Sequence, residues 1–211
     1  MRTALPAAVH RSRLFRWSAA WLLLMAWPTV GEAAIRTIVL DAGHGGKDRG
    51  AYSANVFEKH LALDVTFRVD AILRSRGYRV VLTRRRDEYP SLWERVRLAN
   101  RYSKAVFVSI HFNSARWKPS VQGVETYYYG ADDRALAAAI QPKVVSATGA
   151  PNRGIKRARF FVLRNSKIPA ALVECGFLTN ASERKKCMKG YYRQQIAEGI
   201  AAGIISYARR N

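Results

Sequence analysis

Apolar positions along the 211-residue chain follow two rhythms, and the alternation between them predicts the fold. Continuous apolar runs bounded by polar or glycine-rich segments read as buried strands. They cover residues 36–40, 78–83, 106–111 and 171–175. An aromatic, β-branched run over 121–129 is expected nearer a sheet edge, and another strand is expected over 160–163. Between these runs the spacing turns helical. Leu61, Val65, Val69, Ile72 and Leu73 form one stripe, with Asn55 as N-cap, Glu58 three residues on, and Gly77 as the stop. Ser91 and Glu94 make a second capping box, opening a helix that runs to about Tyr102. Asp132 and Asp133 begin an alanine-rich helix carrying Leu136 and Ile140, which Pro142 is expected to bend. Ile196, Ile200 and Ile204 stripe the final helix. Strands alternating with helices predict an α/β fold: a three-layer α/β/α sandwich around a mostly parallel, about six-stranded sheet.

The first 33 residues break this alternation. Arg2, Arg11, Arg13 and Arg16 precede an almost wholly apolar run over 17–30, and Gly31-Glu32-Ala33 places small residues two apart. That is the pattern of a signal-peptidase site. The apolar run is about 14 residues, short of the roughly 20 that span a bilayer. Residues 1–33 are therefore expected to be a signal peptide, with an uncleaved anchor as the alternative. Residues 34–211 are then one exported domain of the periplasm, the cell envelope or the exterior, a monomer with no stable membrane span after cleavage.

Charge narrows the partners. The chain has 36 Lys and Arg against 15 Asp and Glu, and removing the leader's four arginines and Glu32 takes the net charge from +21 to +18. Such a surface favours anionic partners. In a cytoplasmic protein it would suggest nucleic acid; in an exported one it suggests acidic wall polymers or anionic lipid. Cys175 and Cys187 have a route to pairing in an oxidising compartment. However, one falls in an apolar strand and the other in a short helix, so free thiols are the favoured reading. Glu174 beside Cys175 would raise a thiol pKa, which argues against a cysteine nucleophile.

The strand over 36–40 ends at Asp41, and His44 follows among Gly43, Gly45 and Gly46. Open α/β sheets keep their sites beyond the carboxyl ends of strands. A second apolar strand ends in His111, and Glu58 stands at the start of the intervening helix. Two imidazoles and a carboxylate suit Zn²⁺ with a fourth position open to water. The spacing alone leaves alternatives: a capping role would explain Glu58, and His60 competes as a ligand. Two helical positions turn a side chain by about 200°, so Glu58 and His60 cannot both face one ion. Glu174 interrupts an apolar run, where an isolated carboxylate is costly. It is either a general base beside the metal or one half of a buried pair with an arginine.

Four stretches, VLDAGHGGKD over 39–48, Glu58-Lys59, SIHFNS over 109–114 and VECGFLTN over 173–180, occur in this order. Together they resemble the catalytic domain of the zinc-dependent N-acetylmuramoyl-L-alanine amidases, the third amidase family. The resemblance runs through almost all of residues 36–208 and includes Asn152-Arg153-Gly154 and Pro169. It implies that His44, Glu58 and His111 bind zinc and that Glu174 is the catalytic glutamate. It also implies the reaction: hydrolysis, by a zinc-activated water, of the amide joining the muramic acid lactyl group to L-alanine in peptidoglycan. The partner is then this anionic wall polymer and not nucleic acid. Arg49 stands where the family usually has proline, Phe112 replaces a small residue, and Ala105 replaces an aspartate. Arg49 and Phe112 are expected to narrow the cleft or alter substrate preference. Other readings are a non-catalytic basic peptidoglycan-binding protein, opposed by the four intact positions, and a serine hydrolase, opposed by the lack of a Gly-x-Ser-x-Gly elbow. Some division-associated members of the family insert a helix that covers the zinc. Here Tyr129-Gly130 leads directly towards Asp132, leaving little material for a lid. With no second domain expected, the enzyme should act without an activator.

Overall fold

The structure, a computed structural model, describes residues 35–211 and Met1. The expected signal peptide over 1–33 lies outside the described residues. From Ile35 onward the elements follow the predicted alternation. β1 (Thr37–Ala42) leads through a loop into a two-residue hairpin, β2 (Tyr52–Ser53) and β3 (Val56–Phe57), which opens α1 (Glu58–Ser75). Next come β4 (Arg79–Leu82), α2 (Leu92–Ala99), β5 (Ala105–Asn113), β6 (Val124–Tyr128) and α3 (Ala131–Thr148). β7 (Asn152–Arg157), α4 (Phe161–Arg164), β8 (Ala170–Phe177), α5 (Ala181–Cys187) and α6 (Gly190–Ala208) complete the chain.

The main sheet has six strands in the order β4-β1-β5-β8-β6-β7. All neighbours are parallel except β6 and β8, which run antiparallel. Because strand side chains alternate between faces, β5 sends Val106, Val108, Ile110 and Phe112 to one side and Ala105, Phe107, Ser109 and His111 to the other. The first set joins the larger apolar cluster under α1, α3 and α6. The second side carries a smaller cluster under α2 and α4, with Phe107, Leu172, Val96 and Val162. The three-layer α/β/α sandwich is thus present, with layers of unequal thickness. α6 lies tight on α3 because two glycines face it. A Cβ at Gly199 would come 2.5 Å from the Val144 Cα, and one at Gly203 would come 2.4 Å from the Ile140 Cα.

Several expectations need correction. Residues 160–163 do not form a strand; Phe161–Arg164 is a short helix. The sheet position beside β6 is taken by Asn152–Arg157, which lacks an apolar run because it is a half-exposed edge. β6 lies one place in from that edge, near the edge as expected. Asn55 does not cap α1. It and Ala54 adopt positive φ, 62° and 47°, as the two central residues of the β2–β3 hairpin. Phe57 precedes α1 with no side-chain cap, which frees the Glu58 carboxylate. Ser91 and Glu94 do form the expected capping box. α3 continues through Pro142 as one helix. β5 passes His111 and ends at Asn113. Cys175 and Cys187 are buried free thiols. Phe112 is 1% exposed and packs in the core beneath the sheet, so it does not narrow the cleft.

Candidate metal centre and active-site cleft

The loop after β1 holds His44 at φ 59°, a conformation uncommon for a residue with a Cβ. Local contacts keep it there: Gly45 and Asp48 exchange backbone hydrogen bonds of 2.9 and 3.0 Å. The Asp48 carboxylate lies 2.8 Å from His44 Nδ1 and also accepts from the Gly50 amide at 3.1 Å. A carboxylate on Nδ1 fixes the imidazole tautomer and leaves Nε2 as the ligating atom. That Nε2 stands 3.1 Å from Glu58 Oε1.

Glu58 is the first residue of α1 and only 3% exposed. Its Oε2 accepts from the Ala51 amide at 2.6 Å, and Oε1 accepts from the Phe112 amide at 2.9 Å. His111 Nδ1 lies 2.8 Å from the same Oε1. Burial works to raise the Glu58 pKa, but the two histidines overcome it and hold the carboxyl well below its usual range. Burial works to lower His44, whereas Glu58 and Asp48 together bring it above its ordinary value. Donor atoms of His44, Glu58 and His111 all fall within 4.8 Å of one another. Glycines make the room. A Cβ at Gly43 would stand 2.4 Å from the His111 ring, and one at Gly50, where φ is +66°, would stand 2.5 Å from Glu58 Oε2. This donor set, with backbone amides on the carboxylate and a carboxylate behind one imidazole, fits a divalent cation. His60 does not join it: its Nε2 is 3.8 Å from Asp87 on an exposed face, and its ring packs edge-on against Phe57.

Strand register brings Glu174 to the cluster. On β8 it pairs with His111 of β5 on one side and Glu125 of β6 on the other. The residue lines the cleft, yet its Oε2 is sealed from solvent and has no hydrogen-bond partner. Burial, with Glu58 and then Glu125 adding repulsion, pushes its pKa well above the usual carboxylate range. The arginine pairing considered for Glu174 is found on Glu125. That carboxylate accepts from Arg153 Nε at 2.7 Å, Asn113 Nδ2 at 2.9 Å, the Tyr127 hydroxyl at 2.6 Å, and from Lys156 Nζ.

Beneath the site lies a second buried network that sequence reasoning missed. Asp41, 1% exposed, accepts from Arg95 Nη1 at 2.7 Å and from the Ser109 and Thr83 hydroxyls at 2.6 Å each. Arg95 also donates to the Ala42 and His44 carbonyls at 2.7 Å each. Arg84 donates to the carbonyls of Ala42 at 2.9 Å, Gly43 at 2.9 Å and Lys59 at 2.8 Å. Two buried guanidiniums thus set the path of the His44 loop. No spacing distinguishes them among 36 cationic residues; the acid at the end of β1 was the available signal. Above the site a cleft of about 360 Å³ opens between the β4–α2 connection and α4, with His44, His111 and Glu174 on its floor. Arg49 lies outside this lining, with its guanidinium 5.2 Å from the Phe57 ring centroid.

Comparison with known proteins agrees with this fold. The N-acetylmuramoyl-L-alanine amidase family model matches residues 38–206. The chain is 41% identical over 186 residues to the N-acetylmuramoyl-L-alanine amidase LytC of Bacillus subtilis, covering 86% of this chain and 36% of LytC. It thus spans about a third of that relative's length. Among solved structures it resembles an N-acetylmuramoyl-L-alanine amidase of Clostridium difficile 630, with TM-score 0.80, 40% identity, and coverage of 83% of this chain and 97% of that one. AmiC2 of Nostoc punctiforme gives TM-score 0.80 and 40% identity, covering 85% of this chain and 100% of that one.

Proposed function

We propose, from the premise that this chain belongs to the N-acetylmuramoyl-L-alanine amidase family, that it is a zinc-dependent peptidoglycan hydrolase. It cuts the amide between the lactyl group of N-acetylmuramic acid and L-alanine of the stem peptide. The observation that carries this reading is the convergence of His44, Glu58 and His111 within 4.8 Å beside a carboxylate, Glu174, that has an unpartnered buried oxygen.

His44 through Nε2, the Glu58 carboxylate and a ring nitrogen of His111 would hold the ion. When bound, zinc supplies Lewis acidity, making water acidic enough to attack at neutral pH and polarising the scissile carbonyl. Asp48 keeps His44 in its ligating tautomer. Glu174 takes a proton from the attacking water and returns it to the amide nitrogen, so the peptide leaves as a free amine. Burial beside Glu58 and Glu125 raises the Glu174 pKa, which makes its carboxylate the stronger base for the first half of this transfer.

The site's surroundings support action without a protein activator. β6 joins α3 through Tyr129 and Gly130 alone, and α3 packs on α6 behind the sheet, away from the cleft. We place the enzyme in the cell envelope, where its substrate lies, delivered by residues 1–33 as a signal peptide. Among the described residues no helix is long and apolar enough to cross a membrane.

The test is digestion of purified peptidoglycan by the zinc-loaded protein alone, with products read by mass spectrometry. Free stem peptides beginning with L-alanine, beside glycan lacking them, are expected. Cleavage elsewhere in the polymer, or none from a folded protein holding about one zinc, would overturn the reading. His111→Ala should lose metal and activity together, while His60→Ala should keep both.

A further inference from the structure

The cleft has an aromatic lip that its chemistry does not use. Of the ten most exposed large apolar side chains among the described residues, four lie here: Tyr89, Leu92, Trp93 and Phe160, at 40–65% exposure. They come from two elements. Tyr89, Leu92 and Trp93 belong to the β4–α2 connection and the first turn of α2. Phe160 immediately precedes α4. Edge-to-face contacts hold the rings in place: Trp93 sits 4.9 Å from Phe161 between centroids, and Phe160 sits 5.0 Å from Tyr127. Exposed apolar side chains gathered at one edge of a cleft suit ligand binding, and rings already fixed by their neighbours lose little freedom on binding.

Residues of the lip also line two neighbouring cavities. Tyr89, Leu92, Phe160 and Phe161 line the cleft over the metal centre. Trp93 lines a second groove of about 830 Å³ along α2, whose other walls include Ser91, Asn100, Arg97 and Arg101. A ligand leaving the reacting centre over this edge therefore meets aromatic faces first and hydrogen-bonding groups beyond them.

We infer that this lip is a glycan-binding surface, on which Trp93 and Phe160 stack the sugar strand of the substrate while its amide lies over His44, His111 and Glu174. The inference rests on the peptidoglycan reading and names the half of the substrate this wall receives. Pyranose rings present C–H faces that pack on aromatic rings, and their hydroxyl and acetamido groups need polar partners alongside. The stem peptide carries carboxylates, for which the Trp93 and Phe160 rings offer no partner; the cations Arg97, Arg101 and Lys167 lie beyond them in the second groove. Trp93 touches Phe161 of the cleft and itself lines the second groove, a placement that suits a polymer extending several sugars beyond the bond being cut.

The experiment is a titration of the full chain with peptide-free oligosaccharides of alternating N-acetylglucosamine and N-acetylmuramic acid, read by tryptophan fluorescence and repeated without zinc. A saturable change is expected with or without metal, and Trp93→Ala should abolish it. Phe160→Ala should retain the signal with an apparent Kd raised by about 3- to 10-fold, the scale of one lost stacking contact. On intact peptidoglycan the double variant Trp93→Ala/Phe160→Ala should raise KM by about tenfold or more, with kcat changed less than about threefold. Thermal melts of both variants check that folding is intact. No saturable response, a response unchanged in Trp93→Ala, or one displaced by an L-Ala–D-Glu peptide would overturn the proposal, the last because the lip would then hold peptide. Sugar binding without amide cleavage would support the lip and defeat the amidase reading. Cleavage without a sugar response would do the reverse.

Discussion

The two faces of the sheet are built from the same strands and solve opposite problems. Behind it, Val106, Val108, Ile110 and Phe112 of β5 meet α1, α3 and α6 in one continuous apolar cluster. In front, the intervening residues Ser109 and His111 join Asp41, Glu174 and Glu125 in a polar row. Apolar burial behind the sheet is non-directional and stabilises the domain in proportion to area. Each buried charge in front must find a partner or cost several kcal/mol. Asp41, Glu58 and Glu125 each accept several hydrogen bonds; among the described side chains Glu174 alone keeps a buried oxygen without one. Among the described residues, the buried side-chain polar atoms of the front face are all satisfied except where chemistry is proposed. An unsatisfied group there is held in place by the packing behind it.

The sharpest way to break this division is at Glu174. Glu174→Gln keeps the shape and removes the proton acceptor, so turnover should fall by about 10²–10⁴-fold. Zinc content, by metal analysis, and the thermal midpoint should hold or improve, because a repelled carboxylate has gone. Near-normal turnover would reduce Glu174 to a structural residue. Next in size is Asp41→Ala, which strands the buried Arg95 and should cost about 3–5 kcal/mol in urea unfolding. Because Arg95 also holds the His44 carbonyl, this variant should weaken zinc binding too. The same carboxylate predicts acid sensitivity. Burial works to raise the Asp41 pKa, but Arg95 with the Ser109 and Thr83 hydroxyls holds it below its ordinary value. The unfolded chain therefore takes up the proton first. The contribution is complete above the unfolded carboxyl pKa of about 4 and is lost as pH falls from there through the lower folded value. Asp41→Ala should accordingly flatten the stability profile below about pH 4; an unchanged acid limb would remove Asp41 from that role. The smallest effect is expected behind the sheet. Gly203→Ala places a methyl against the α3 backbone and should cost about 1–3 kcal/mol. Its kcat at a temperature where it remains folded should match the parent, and a selective loss of kcat would show that the two faces are coupled.

Local chemistry made much of this protein legible before folding. Four strands and three helices follow from apolar periodicity, because a side chain's face depends only on its position along its own element. His44, His111 and Glu174 stood out as polar residues closing or interrupting apolar runs, and the order of the motifs around them pointed to the family. What the chain alone left open were choices between partners distant in sequence. Glu58 could equally cap its helix or face a metal, until the β2–β3 hairpin moved the cap position away and turned the carboxylate to the Phe112 amide. Arg84 and Arg95 were two cations among many until the β4–α2 segment brought them under Asp41 and the His44 loop. β7 has no apolar signature because an edge strand is held by backbone hydrogen bonds to β6, which every sequence supplies. Phe160 and Phe161, read as part of a strand, became the cleft's lip once that edge was occupied. Periodicity is written in neighbouring residues, whereas the pairing of charges and the placing of a cleft wall are decided by distances that exist only after the sheet has formed.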